Sequence, residues 1–110
     1  MTPEEIQQKE ARIEEIRTRI GQITALLDGT LMSKYNRVRR RDGSVHVSPE
    51  HCTFQYRDSD GTRQWKRIPR NAKAAVARLV RAGERYRALE REYTALLTEL
   101  SLADGGKKNA

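Results

Sequence analysis

The chain is short of the residues that cross-link or metallate small folds. It holds one cysteine, Cys52, and two histidines, His46 and His51, in 110 residues. A lone cysteine excludes an internal disulfide and fits a reducing, cytoplasmic setting. His46, His51 and Cys52 supply at most three metal ligands, whereas structural zinc favours four, mostly thiolates. Neither a metal nor a cofactor is therefore expected. A Cys/His nucleophile pair needs a third orienting group and a pocket-forming glycine-rich loop, and neither accompanies these residues. Asp58 and Asp60 beside Gly61 read as turn formers, not as an acid/base couple. No catalytic residue is expected.

Apolar material is equally scarce. Hydrophobic residues make up 36% of the chain and charged residues 34%, too little to fill a broad globular core. An elongated, helix-rich body needs less. No apolar run approaches the roughly 20 residues of a membrane span, and no signal-peptide core follows Met1, so no membrane partner is expected.

What is present is periodicity. Thr2, Pro3 and Glu5 form an N-cap, a first-turn proline and a capping box. Ile6, Lys9, Ile13, Ile16, Ile20, Ile23 and Leu27 then recur at spacings of three and four, and Asp28-Gly29 supplies a stop. The pattern predicts a helix over 3–28. A second seam runs through Ala72, Ala75, Leu79, Ala82, Tyr86, Leu89, Tyr93, Leu96 and Leu100, between Pro69 and Asp104-Gly105-Gly106. It predicts a helix over 71–102 and a disordered basic tail over 105–110. Ala74, Val76, Ala77 and Val80 make its first turns apolar on several faces, which places that end beneath the central segment.

Between the helices the period falls to two. Segments 53–57 and 62–68 flank Asp58-Ser59-Asp60-Gly61, a strong hairpin signal, and predict Phe54, Tyr56 and Trp65 on one shared face. Asp42-Gly43 marks a weaker hairpin between 35–41 and 44–47, and Pro49 interrupts the chain before the stronger one. The expected architecture is α+β and mainly α. It is an antiparallel two-helix coiled-coil hairpin with a β-tip over 34–68, in one domain spanning 1–104. Two helices alone bury little. Ile13, Ile16, Ile20, Ile23, Leu27, Leu79, Tyr86, Leu89, Tyr93, Leu96 and Leu100 therefore serve either a four-helix homodimer or docking on a larger partner.

Charge is unevenly spread. The formal net charge is +7, which favours polyanionic partners. Residues 1–33 are net negative by two, while 34–70 hold ten cations against four acids. Those cations are Lys34, Arg37, Arg39, Arg40, Arg41, Arg57, Arg63, Lys66, Arg67 and Arg70. Guanidinium forks match phosphate oxygens and stack on bases better than ammonium does. Tyr35, Phe54, Tyr56 and Trp65 are either stacking faces for bases or the small core beneath the tip. Arg39-Arg40-Arg41 before a turn is the expected phosphate clamp. By contrast, Arg81, Arg85, Arg87 and Arg91 alternate with Glu84, Glu90 and Glu92 as on a solvated helix face.

Residues 26–100 resemble a family of small proteins found beside transposases and other mobile elements. Gly29-Thr30-Leu31-Met32-Ser33-Lys34-Tyr35 resembles its first turn, and Cys52-Thr53-Phe54-Gln55-Tyr56 its aromatic strand. Asp60-Gly61-Thr62-Arg63 with Ile68-Pro69 resembles its second turn and return strand, and Tyr86-Arg87-Ala88-Leu89 its closing helix. The family's cysteine knuckle falls near 39–51, where no cysteine stands, so no zinc role carries over. The resemblance implies an accessory to a transposase or recombinase. The expected function is thus non-enzymatic DNA or RNA binding by a cytoplasmic homodimer, with phosphates gripped by the tip. The rival expectation is a protein–protein adaptor acting through the stem.

Overall fold

The computed structural model describes residues 1–34, 37–47 and 51–108. The fold is α+β, with two helices and a small antiparallel sheet. Helix α1 spans Pro3–Gln22, followed by strands β1 (Gly29–Lys34), β2 (Arg37–Arg39), β3 (Val45–Val47), β4 (His51–Arg57) and β5 (Arg63–Ile68). A 3-10 turn over Arg70–Ala72 then leads into helix α2, Lys73–Lys108. The chain divides into two compact units, Leu26–Arg81 and the paired segments Met1–Ala25 and Ala82–Ala110. Helix α2 contributes residues to both.

In the helical unit, α1 begins as its sequence dictates. The Thr2 hydroxyl accepts the Glu5 amide at 3.2 Å, and Pro3 occupies the first turn, where its missing N–H leaves no orphan. Ile13 and Ile16 are buried, Ile16 completely, as is Ala82 on α2. Ile20, Ile23, Tyr86, Leu89, Tyr93, Leu96 and Leu100 are half-buried. Polar contacts join the two helices, with low numbers on α1 meeting high numbers on α2. Arg12 grips both carboxylate oxygens of Glu92 at 2.6 and 2.8 Å, Lys9 pairs with Glu99, and Arg17 donates to the Tyr93 hydroxyl.

Three boundaries differ from the periodicity. Helix α1 ends at Gln22 with Ile23 as its cap, six residues before the expected 28. Leu27 is needed elsewhere: its side chain packs on the sheet's core cluster, and its amide donates to the Leu79 carbonyl at 3.0 Å. Both contacts require an extended chain, so Leu27 and Leu79 belong to the sheet unit and not to the stem seam. Gly29 does not terminate a helix; it opens β1, a strand that the predicted tip, starting at 34, omits. Helix α2 starts at 73 and runs through 105–108, past the expected stop.

In the sheet unit the strand order is β1-β4-β5, antiparallel throughout. Leu31 pairs with Phe54, which pairs with Lys66; Ser33 pairs with Cys52, which pairs with Ile68. Side chains alternate across a strand, so one face carries Leu31, Cys52, Phe54, Tyr56 and Ile68. Cys52, Phe54 and Ile68 form the buried cluster, covered by Leu27, Ala72, Val76 and Val80. Burying Phe54 contributes about 2–3 kcal/mol. The Phe54 and Tyr56 rings stack at 5.7 Å between centroids. β2 and β3 form a separate two-stranded ribbon. Gly43 and Gly61 turn the two hairpins with φ of 87° and 81°, values that only glycine adopts without strain.

Candidate nucleic-acid interface

The sheet face turned away from the core cluster holds the most concentrated chemistry. Register fixes its membership: Thr30, Gln55 and Trp65 form one row, Met32, Thr53 and Arg67 the next, and Arg57 pairs with Arg63. Trp65 is 59% exposed, unusual for so large an apolar side chain. Arg63 and Arg67 stand two residues to either side of it on β5, each exposed. No carboxylate occupies any described register position on this face.

Two hydrogen bonds orient the guanidinium groups. Arg57 donates to the Gly61 carbonyl at 2.9 Å, and Arg67 contacts His51 Nδ1 at 3.1 Å. The acids nearby are engaged by the turns. Asp58 accepts the Asp60 and Thr62 amides and the Gln64 side-chain amide. These bonds hold its carboxyl below the usual carboxylate range, the Gln64 bond being the largest cause and the Thr62 amide the next. Asp42 likewise accepts both the hydroxyl and the amide of Ser44, which lower its pKa in that order. Five ion pairs lie in the helical unit: Lys9–Glu99, Arg12–Glu15, Arg12–Glu92, Arg17–Glu14 and Arg19–Glu15.

The predicted cation set is divided among several places. Arg57, Arg63 and Arg67 share the outer sheet face with Trp65. Arg37 and Arg39 alternate along β2, paired with Val47 and Val45, and Arg40 and Arg41 follow at the ribbon turn. All four are exposed, as are Val38, Val45 and Val47. Lys66 pairs with Phe54 and so belongs to the opposite sheet face, and Arg70 lies in the 3-10 turn. Lys34 takes the register position opposite His51. Tyr35 lies outside the described residues.

The three aromatics do not share one face. Phe54, 3% exposed, and Tyr56 belong to the core side, while Trp65 pairs with Gln55 and stands on the other. His51 and Cys52 are likewise on opposite faces, with Cys52 Sγ buried 3.5 Å from Ser33 Oγ. Among the described residues, no cluster of His, Cys, Asp or Glu is placed to hold a metal ion. No described helix is long and apolar enough to cross a membrane. No family model, curated protein or solved structure matches the chain.

Proposed function

We propose that the chain is a non-enzymatic nucleic-acid-binding protein that contacts phosphates through the sheet unit. One observation carries this reading. The ion pairs Lys9–Glu99 and Arg12–Glu92 tie α1 to α2, while Arg57, Arg63 and Arg67 share a solvent-facing sheet face whose described register positions carry no carboxylate. A folded chain gains nothing from gathering like charges at one place; a polyanion bound there releases counterions and relieves the repulsion. The Arg37–Arg41 ribbon adds a second set of forks of the width a DNA major groove admits. The resemblance to a mobile-element family suggests an accessory to a transposase or recombinase.

We read the helical unit as an antiparallel coiled-coil stem whose half-buried Tyr86, Leu89, Leu96 and Leu100 complete their burial in a homodimer.

The test is fluorescence anisotropy on a labelled oligonucleotide across a salt series. Arg39→Ala with Arg40→Ala and Arg41→Ala, and separately Arg63→Ala with Arg67→Ala, should each weaken binding and flatten its salt dependence. Unchanged affinity in both variants removes the phosphate-binding assignment.

A further inference from the structure

Trp65 is the single tryptophan of the chain, and it projects from the open side of a three-stranded sheet. An indole left 59% exposed forgoes burial that Phe54 obtains on the other face. Its surroundings are flat and uncharged along its own row, where Gln55 and Thr30 stand, and cationic to either side, at Arg63 and Arg67. Each arginine is about 7 Å away along the strand, two residues at roughly 3.4 Å each. Guanidinium, indole, guanidinium in sequence is the pattern that holds a base by its face and the flanking phosphates by their oxygens.

We propose that this outer face is a stacking platform for an unpaired nucleic-acid strand, an inference that rests on the nucleic-acid reading above. Duplex fits the surface poorly. Its bases are stacked inside the helix and present only their edges. Three strands also span about 10 Å between their outer axes before side chains are added, against a major groove about 12 Å wide that admits a helix or a two-stranded ribbon. A single strand meets neither obstacle, since every unpaired base offers a π-face to the indole. No carboxylate stands at a described register position of the face, and Asp28 lies at its edge beside Arg57 and Arg63, away from the Trp65–Arg67 side.

Because Trp65 is the only indole, its intrinsic fluorescence reads this site alone. The full chain is titrated with oligo-dT of about twelve nucleotides, within the site sizes of stacking grooves, and with a blunt duplex of equal length. Circular dichroism and sedimentation are run on every variant. The expected result is quenching of Trp65 by the single strand, with affinity at least about tenfold above that for duplex. Variant affinities are read by anisotropy of labelled oligo-dT, where Trp65→Ala should lower single-strand affinity about tenfold without altering the melting curve, and Trp65→Phe should restore most of it. Arg63→Ala with Arg67→Ala should weaken single-strand binding too. If Trp65→Ala leaves single-strand affinity unchanged while the arginine variant loses it, stacking is overturned and phosphate binding stands. Quenching of Trp65 by the duplex at the same affinity also overturns the platform. Should Trp65→Ala change only sedimentation, the indole is a contact between copies, and the proposal fails. Wild type that binds neither probe removes both readings.

Discussion

At Gly29 the backbone of β1 passes so close to β4 that a Cβ would collide with the Gln55 carbonyl oxygen and lie 2.6 Å from Phe54 Cζ. Backbone cannot yield cheaply, and Phe54 sits in the buried cluster. Gly29→Ala should therefore destabilise the sheet unit by about 1–3 kcal/mol, as overpacking does, read as a lower midpoint in urea. An unchanged midpoint would show that β1 does not approach β4 as described. The sequence signals a glycine here but assigns it the wrong task, because a helix stop and a crowded strand both select glycine. Trp65 shows the same limit. Residue type marks it as a contact candidate, yet its face depends on register, and a slip of one residue exchanges the two faces. The Asp58 amide bonds the Thr62 carbonyl, leaving Ser59, Asp60 and Gly61 to turn the chain, and that geometry aligns Gln55 with Trp65. Nothing local to Trp65 specifies it.

Elements were legible in proportion to how local their causes are. The Thr2 cap, the isoleucine seam up to Ile20, both glycine turns and the second seam from Ala82 to Leu100 each depend on neighbours a few residues away, and each is found where periodicity and turn chemistry place it. The end of α1 and the strand β1 depend on distant partners. Leu27 continues the helical period but is recruited by the Cys52–Phe54–Ile68 cluster and by Leu79. The alternation of Gly29, Leu31 and Ser33 on one face was the available signal for β1, hidden by its resemblance to a turn. The β4–β5 hairpin also carries a pH dependence. Asp58 has a depressed folded pKa, so its contribution is full above the unfolded value of about 3.9 and is lost as pH falls through the folded one. Amide exchange at Asp60 and Thr62, whose N–H groups it accepts, should accelerate relative to the rest of β4 and β5 at acid pH. In Asp58→Asn that acid-specific increase should disappear. Persistence of the increase in the variant would assign it to another group.

On the scale of the whole chain, the two compact units differ in how they handle charge, and salt separates them. Ion pairs on the helices are solvent-exposed, so each contributes only about 0–1 kcal/mol, and added salt should move the melting temperature little. The arginines of the sheet face meet phosphates only when a polyanion arrives, so salt should act on binding instead. If Arg57, Arg63 and Arg67 each meet one phosphate of a single strand, the logarithm of affinity should fall with the logarithm of salt at a slope of about −2. Removing Arg63 and Arg67 together should reduce that slope to about −0.7. Self-association needs a different probe. Ile16 is fully buried within one chain, so Ile16→Asp leaves a charge in the helical core and unfolds the unit whether or not a second copy is bound. Leu89 is only half-buried in one copy and lies beside Ile23 and Ala88 in an open groove. Leu89→Lys should keep the helices folded by circular dichroism while converting a dimer to monomer in sedimentation at micromolar concentration. A wild-type chain that already sediments as a monomer removes the dimer and leaves the phosphate-binding sheet to act in a single copy, with the salt slope unchanged.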